Sequence, residues 1–321
     1  HGCQTRSAKG QFRRMDLLAW SGRHAKWVLA SGLVIAILLP SLARTLSQYL
    51  TPMICAIMFI GAARLRPSEF PSLLISPFGS VLHVLLMQLG LPALAAAVFW
   101  FCGLHEQLFA KTIILLLAAS AIVSSPNFAA IMKLDVAISM RLLFWSTVLV
   151  PLTSLPIFVF LFGDAALQDV LWASLRLVVI ITVSGSLGLA FRWFVLPCLS
   201  DQGEIRLDGV SAVALAIFVI SLMPEITSVA FSNPILLTGW IALAFAMNFG
   251  TQVITLRLAS KSSNHEASGA FAIAYGNRNL ALFFAALPLE LSGQFIVFLA
   301  AYQLPMYLTP MLLAGLYKHS D

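Results

Sequence analysis

Charged side chains are what this sequence has least of. Asp, Glu, Lys and Arg make up 10% of its 321 residues, whereas soluble proteins carry about 25%. Hydrophobic residues make up 60%, and the mean hydropathy is +0.93. Because so little charge cannot cover a water-facing surface, the composition excludes a soluble enzyme or binding domain. It predicts an integral membrane protein.

Signatures of metal and redox chemistry are also missing. The four cysteines show no paired spacing, so we expect neither a disulfide framework nor a metal site. None of the thirteen acidic residues falls in the middle of a predicted membrane span. His83 is the one histidine on a span; the sequence favours a packing role for it and leaves a proton-carrying role open. No cofactor is predicted.

The formal charge of +6 does not indicate nucleic acid binding, because the basic residues follow a membrane pattern. Six of the nineteen Lys and Arg residues precede residue 27, and most of the others lie in short loops between apolar segments. The expected partner of this surface is the lipid bilayer. The chain begins at His1, and we expect Met15 to be the natural start, with residues 1–14 added.

Long apolar segments predict the fold class. A bilayer core about 30 Å thick needs roughly 20 apolar residues per helix, which predicts an all-α polytopic membrane protein with ten spans. They cover residues 27–43, 47–63, 77–102, 112–131, 136–162, 170–194, 208–224, 233–256, 267–288 and 292–316. With the N-terminus in the cytoplasm, fifteen basic residues fall on the inner side and three on the outer side. This bias places both termini in the cytoplasm, and we expect a monomer in a bacterial inner membrane.

Ten spans divide into two halves of five, and an odd number of spans gives the halves opposite orientations. We therefore predict a basic cytoplasmic segment at residues 1–26 and two inverted five-helix repeats at 27–162 and 163–321.

In this division spans four and nine correspond, and both are interrupted by polar residues. Span four contains Ser-Ser-Pro-Asn at 124–127, and span nine contains Gly-Asn-Arg-Asn at 276–279. Matched interruptions mark the substrate site of many transporters, because unwound backbone is tolerated in a membrane only where it lines a cavity or is buried in protein. Pro126 and Gly276 are the predicted helix-breaking residues, and the two breaks are expected to cross near mid-membrane. A simple kink at Pro126 is the alternative interpretation.

Three segments carry a resemblance to a known family. They read RPSEFPSLLISPFGSVLHVLLMQLGLP at 66–92, DVAISMRLLFWSTVLVPLTSLP at 135–156 and AYGNRN at 274–279. In order and spacing they resemble the loop and third span, the fifth span and the Glu-x-Gly-x-Gln-Asn motif of the bile acid:sodium symporter family. The resemblance implies ten helices in a panel domain and a core domain, with broken helices four and nine crossing beside two sodium sites.

The chain departs from that family at the implied sodium ligands. Ala274 stands where the motif has Glu, Arg278 where it has Gln, and Leu143 where the fifth span has Thr. Two unit charges about 4 Å apart repel by about 4 kcal/mol at an effective dielectric of about 20, so a guanidinium here disfavours Na⁺. We expect the usual two-sodium arrangement to be lost. The residual sodium-site positions implied by the resemblance are Ser125, Asn127, Ser139, Gln88 and Asn279.

Arg278 has two main interpretations. It could replace the charge of sodium structurally, or it could bind an anionic substrate through its bidentate fork. A position near the interface, with the side chain reaching the headgroups, is a third interpretation. The candidate substrate-binding residues are Arg278, Asn279, Asn277, Asn127, Ser125 and Gln88. Gln88, like Asn248 and Gln252, is also a candidate for hydrogen bonding between helices.

The sequence therefore predicts a secondary transporter of a small organic anion that works by alternating access, without the usual sodium coupling. The alternative is a sodium-coupled organic anion symporter that uses the residual site. An intramembrane enzyme would need a carboxylate pair, a metal cluster or a Ser/His pair at membrane depth. A sensor or scaffold would not need two matched helix breaks.

Overall fold

A computed structural model describes residues 16–68, 70–73, 77–163, 167–261 and 264–317. Apart from one isolated bridge, the secondary structure of these residues is helical. The helices are α1 (Leu17–Arg23), α2 (Ala25–Leu38), α3 (Pro40–Ser47), α4 (Leu50–Ala63), α5 (Phe70–Leu73), α6 (Pro77–Leu85), α7 (Leu91–Phe101), α8 (Leu108–Ala118), α9 (Ser125–Ile131), α10 (Val136–Phe162), α11 (Leu167–Ala190), α12 (Asp201–Ser232), α13 (Pro234–Ala259), α14 (His265–Gly276), α15 (Ala281–Ala286), α16 (Leu289–Ser292) and α17 (Ile296–Leu312). The expectation for residues 1–14 and Met15 lies outside the described residues.

Short irregular turns connect some of these helices. A π-helical turn at Leu86–Gly90 joins α6 to α7, and a second one at Phe191–Val195 extends α11. A 3₁₀ turn at Gly293–Phe295 leads into α17.

Six continuous helical segments among the described residues are long and apolar enough to cross a membrane. They are Pro77–Phe101, Val136–Phe162, Gln168–Val195, Asp201–Ser232, Pro234–Ala259 and Glu290–Leu312. Large apolar side chains on them are exposed, such as Phe101 at 89% and Phe231 at 87%, which suits contact with lipid. These features indicate an all-α integral membrane protein, and the prediction is confirmed at that level.

Four predicted spans are not single long helices. The span at 27–43 is bent by 101° between α2 and α3, where Pro40 cannot donate the hydrogen bond that would continue the helix. The span at 47–63 is the 14-residue helix α4. The spans at 112–131 and 267–288 are divided into α8 with α9 and α14 with α15. The number of spans and the orientation of the termini stay predictions.

The chain forms two compact units. The first contains the described part of His1–Phe70 together with Thr182–Pro224, and the second contains the described parts of Pro71–Ile181 and Glu225–Asp321. A compact unit collects the helices that touch one another, whereas a repeat follows the order of the chain. The repeats predicted at 27–162 and 163–321 therefore stay a prediction.

Arginine–carboxylate pairs connect the helices of the first unit. Their atoms lie 2.5–3.4 Å apart, and the pairs are Arg64–Asp208, Arg66–Glu204, Arg192–Glu204 and Arg206–Asp16. The hydrogen bond from Arg206, with a further one from the backbone N–H of Ala19, lowers the pKa of Asp16. Each of these cations has a carboxylate partner, and Glu204 is shared by Arg66 and Arg192.

The second unit contains the interrupted helices. Within it α13 packs against α14 and α17, and α10 packs against α6, α8, α9 and α14. Helix α10 begins where the Asp135 carboxylate accepts a hydrogen bond from the N–H of Ile138, an N-cap that satisfies a free donor of the first turn.

The cysteines and metal-binding side chains are sparse in the structure too. Cys55 and Cys102 are free thiols. Within the described ranges, His, Cys, Asp and Glu form no cluster of three or more that could hold a metal ion.

Candidate functional site

Two interrupted helices of the second unit bond to each other through their unwound segments. Residues 119–124 separate α8 from α9, and residues 277–280 separate α14 from α15. Ala121 and Arg278 form an antiparallel bridge between the two segments. The N–H of Ile122 donates to the carbonyl of Asn277 at 2.9 Å, and the N–H of Asn279 donates to the carbonyl of Ser120 at 2.8 Å. We call these two segments the junction.

This pairing explains how both interruptions can persist in an apolar protein. Buried backbone donors and acceptors are costly unless they are paired, and inside a bilayer no water is available to pair them. Each interruption provides hydrogen-bond partners for the other.

The first interruption lies just before its predicted position. The prediction was residues 124–127, but Ser125 and Pro126 already belong to the first turn of α9. Proline is favoured there because the N–H it lacks would have no partner inside the helix. Pro126 therefore begins a helix, and the backbone is irregular over residues 119–124.

Gly276 is the last residue of α14 and allows close packing against α13. A Cβ at Gly276 would lie 2.2 Å from Cγ of Gln252 and 2.7 Å from the carbonyl oxygen of Asn248. Both distances are far below a normal contact, so only glycine fits. Gly276 was predicted to break the helix. In the structure it ends α14 and also allows this close packing.

Arg278 is buried in the junction and is 2% exposed. Its Nε donates to the carbonyl of Tyr275 at 2.8 Å, and its Nη1 donates to the carbonyls of Ala119 at 3.0 Å and Met87 at 3.5 Å. The guanidinium also lies over the Tyr275 ring, with Cζ 5.5 Å from the ring centroid. Nη2 is buried without a partner among the described residues.

The groups around Arg278 are carbonyls rather than carboxylates. Ala119 caps the C-terminus of α8, and Tyr275 lies in the last turn of α14. Carbonyls at the C-terminus of a helix carry the negative end of the helix dipole. The guanidinium thus joins two negative helix ends, and its positive charge is not cancelled by an ion pair with any described residue.

Ala274 lies in an apolar environment one turn before Arg278. It is fully buried in a cluster with Val84, Ala121 and Leu142. The position at which the resemblance implies a sodium-binding carboxylate is therefore filled by apolar packing. Leu143 contributes its carbonyl, which accepts a hydrogen bond from the Ser146 hydroxyl at 3.1 Å.

Asn277 is held in a buried polar cluster between α13, α14 and α17. Its Oδ1 accepts from Nδ2 of Asn248 at 3.1 Å and from the Thr309 hydroxyl at 3.4 Å. Its Nδ2 donates to the carbonyl of Ile273 at 3.0 Å. Asn248 Nδ2 also donates to the carbonyl of Gly276 at 2.7 Å.

Gln252 extends this cluster toward the C-terminus of the described chain. Its Nε2 donates to Oδ1 of Asn248 at 2.7 Å and to the Thr309 hydroxyl at 3.1 Å, and its Oε1 accepts from the Tyr317 hydroxyl at 2.8 Å. The interhelical role considered for Asn248 and Gln252 is confirmed. Two further members of the cluster, Tyr302 and Thr309, were not predicted: the Tyr302 hydroxyl lies 3.3 Å from Asn248 Nδ2, and the Thr309 hydroxyl donates to Asn248 Oδ1 at 3.2 Å. Their seven-residue spacing on one face of α17 was the available signal.

Gln88 is also held by hydrogen bonds between helices. Its Nε2 donates to the carbonyl of Ser146 at 2.8 Å, and its Oε1 accepts from the Thr153 hydroxyl at 3.1 Å. Ser146 in turn accepts a hydrogen bond from the N–H of Ala121 at 3.1 Å. Gln88 therefore connects α10 to the π-helical turn, and its partner Ser146 in turn bonds to the junction at Ala121.

The remaining candidate residues differ in exposure. Ser125 and Ser139 are fully buried, and their hydroxyls have no hydrogen-bond partner among the described residues. Asn127 and Asn279 are half-buried. The structure thus brings Arg278, Asn277 and Asn279 together on one segment and places Ser125 and Asn127 at the start of α9.

Comparison with known proteins adds no identification. No protein-family model matches the chain, and no curated protein matches it.

Proposed function

We propose that this protein is a secondary transporter that moves a small organic anion by alternating access. The observation that carries the proposal is the junction, in which two interrupted helices pair through Ala121 and Arg278. Paired helix interruptions are the usual way in which transporters build a site inside a membrane. Ten spans in two inverted repeats, a bacterial inner-membrane location and cytoplasmic termini belong to the same proposal, as does a monomeric state.

The division into two units supports a mechanism with one fixed domain and one moving domain. The resemblance to the bile acid:sodium symporter family implies a panel domain that stays fixed and a core domain that carries the crossed helices. The second unit contains both interrupted helices, and the first contains α1 to α4 and parts of α11 and α12. We assign the core role to the second unit and the panel role to the first.

We propose that Arg278 takes the structural place of sodium. Its donors are directed at carbonyls of Tyr275, Ala119 and Met87, and its side chain is almost completely buried. A permanent cation at this position supports a transporter whose stability and coupling do not depend on Na⁺. The packing of Ala274 among apolar side chains supports the same conclusion.

Uptake into proteoliposomes tests the proposal. Purified protein is reconstituted, and the uptake of a panel of labelled small carboxylates is measured with Na⁺, K⁺ or choline outside. We expect uptake of at least one carboxylate at the same rate with all three cations. Protein-free liposomes and the Arg278→Gln variant are the controls, and absence of uptake for every anion would contradict the proposal.

A sodium-coupled symporter is the second candidate, and one observation favours it. The hydroxyls of Ser125 and Ser139 are buried without partners in the described chain, and buried polar groups of this kind often hold a water or an ion. Saturable stimulation of uptake by Na⁺ over K⁺ in the same assay would select this candidate.

A further inference from the structure

A cavity of about 180 Å³ lies within the second unit, on helices α6, α10 and α14. It is lined by Gly79, Ser80, His83, Ile138, Arg141, Leu142 and Phe271. One lining side chain is cationic, a second can become cationic, and none is acidic. The volume is smaller than the roughly 300–1,000 Å³ of drug-sized sites, so the cavity suits a small ion or the charged end of a larger molecule.

Arg141 has its guanidinium donors available at this cavity. It is half-buried and makes no hydrogen bond or ion pair with any residue in the described ranges. The acidic residues of α10 and α14 nearest in sequence are Asp135 and Glu266, which lie at the N-terminal ends of these helices and do not line the cavity. A planar guanidinium binds carboxylate or phosphate groups through two parallel hydrogen bonds.

The hydrogen bond of His83 determines which of its ring nitrogens remains available to a ligand. Nδ1 lies 2.8 Å from the carbonyl oxygen of Gly79, and because a carbonyl only accepts, Nδ1 carries the hydrogen. Nε2 is then an acceptor in the neutral ring and a donor once the ring is protonated. The ring stacks on Phe271 with the centroids 4.5 Å apart, which fixes its plane.

The charged and titratable groups around His83 come from two helices. Helix α10 contributes Arg141, and α14 contributes the Tyr275 hydroxyl, which donates to the His83 carbonyl at 2.9 Å. Arg278 lies beyond the Tyr275 ring, and the π-helical turn at Leu86–Gly90 carries no charged residue. The other charges are therefore positive, and a protonated His83 ring would add to their attraction for a bound anion.

We propose that this cavity binds an anionic carboxylate or phosphate group, held by Arg141 and, in its protonated state, by His83. The inference rests on the proposed transport function for its role: it would supply proton coupling to a transporter that does not use sodium. Phe271 and Tyr275 lie one turn apart on α14, and Tyr275 contacts both His83 and Arg278. An anion bound in the cavity is thus connected to the junction through Tyr275.

Calorimetric titration of the purified protein in an uncharged detergent tests the site. Lactate and sulfate are the probes, because their charge stays constant between about pH 5.5 and pH 8, whereas that of a histidine changes. We expect both to bind several-fold more tightly at the lower pH. Arg141→Gln should weaken binding about tenfold or more at both pH values, the loss expected for one charge-assisted hydrogen bond. Arg141→Lys should weaken it less.

His83→Gln separates the contribution of His83 to anion binding from that of Arg141. It should leave binding at pH 8 nearly unchanged and abolish the increase at pH 5.5. Arg176→Gln is the matched control, because Arg176 is exposed on α11 and does not line the cavity. Melting curves of all variants establish that each is folded, and a variant that fails to fold leaves the other two substitutions to decide.

Three outcomes are distinguishable. Arg141-dependent binding of lactate or sulfate supports a site for a free anion. If only added phosphatidylglycerol raises the melting temperature, and does so in the parent but not in Arg141→Gln, the bound group is a lipid headgroup phosphate. Binding that does not depend on Arg141 overturns the proposal. Because the titration needs no transport, intact binding without uptake in proteoliposomes would contradict the proposed function and leave the site standing.

Discussion

Two arginines in this protein are equally buried, but only one of them is paired with a carboxylate. Arg192 in the first unit and Arg278 in the second unit are each 2% exposed. Arg192 lies 2.5 Å from the carboxylate of Glu204, which also lies 3.4 Å from Nε of Arg66. Arg278 has only carbonyl oxygens as hydrogen-bond partners among the described residues.

The difference shows what each arginine can do. A buried ion pair cancels most of its own charge, so Arg192 connects α11 to α12 without leaving a strong field. Carbonyl dipoles stabilise a cation but do not cancel it, so the junction keeps a net positive charge. An uncompensated charge inside a membrane usually marks function, and we expect substitutions at the two positions to separate stability from transport.

The largest effect is expected for Arg278→Gln. Glutamine cannot reach the carbonyls of Tyr275, Ala119 and Met87 together, so the variant should lose roughly 3 kcal/mol or more of stability, as expected for charged hydrogen bonds. Thermal melting in detergent, without substrate and without Na⁺, measures the loss. Arg278→Lys should fall between parent and Gln, because the ammonium keeps the charge but not the fork. If Arg278→Gln melts like the parent, the junction does not depend on this side chain.

Arg192→Gln should cost less and leave transport intact. Breaking a buried ion pair typically costs 3–5 kcal/mol, but Glu204 keeps Arg66 as a partner, so we expect about 1–3 kcal/mol. Adding Glu204→Gln should recover part of this loss, since the carboxylate that has lost the closer of its two partners is then uncharged. Melting curves and proteoliposome uptake are measured together. Loss of uptake as severe as in Arg278→Gln would show that the two arginines are not functionally different.

Gly276→Ala tests the packing beside Arg278 without changing charge. The new Cβ would lie 2.2 Å from Gln252 and 2.7 Å from the Asn248 carbonyl, and overpacking of this kind costs about 1–3 kcal/mol. Gly250→Ala is the matched control on α13, because nothing lies within 4 Å of its Cβ. The control should be neutral or slightly stabilising, since alanine favours helix. Equal melting temperatures for the two variants would show that α13 and α14 can move apart freely.

Composition was sufficient to predict an all-α membrane protein, because hydropathy alone excludes a soluble surface. The interruptions were detectable because polar residues stand out in apolar spans. Their exact extent was not, since Pro126 can either break a helix or begin one, and the choice depends on bonds from residues 277–279. The partners of Arg278 could not be predicted from the sequence either. They are the backbone carbonyls of Tyr275, Ala119 and Met87, and because every residue has a carbonyl, no side-chain pattern marks them.

Replacing the fixed cation of the junction by a carboxylate should introduce sodium dependence. Ala274→Glu combined with Arg278→Gln replaces the fixed cation by a carboxylate, so that a bound Na⁺ could restore the positive charge. With sodium at about ten times its dissociation constant, binding would add about 1.4 kcal/mol of stability. The melting temperature in Na⁺ is compared with that in K⁺, with the parent as control. An equal response to both ions would show that the junction carbonyls and the added carboxylate do not form a sodium site.

The smallest effect is expected at the exposed pair of the first unit, where Arg206 Nε lies 2.6 Å from Asp16. The hydrogen bond from Arg206, followed by that from the Ala19 N–H, lowers the pKa of Asp16 in the folded protein. A lowered carboxyl pKa contributes stability that is present above the ordinary aspartate pKa of about 3.9 and is lost as the pH falls through the folded value. Asp16→Asn should therefore lower the melting temperature slightly at neutral pH, with the difference shrinking below about pH 4 and in 1 M salt. Arg278→Gln should show no such dependence on salt, because its partners are buried carbonyls. If salt reduced both effects equally, the contrast between a screened ion pair and a buried uncompensated cation would be wrong.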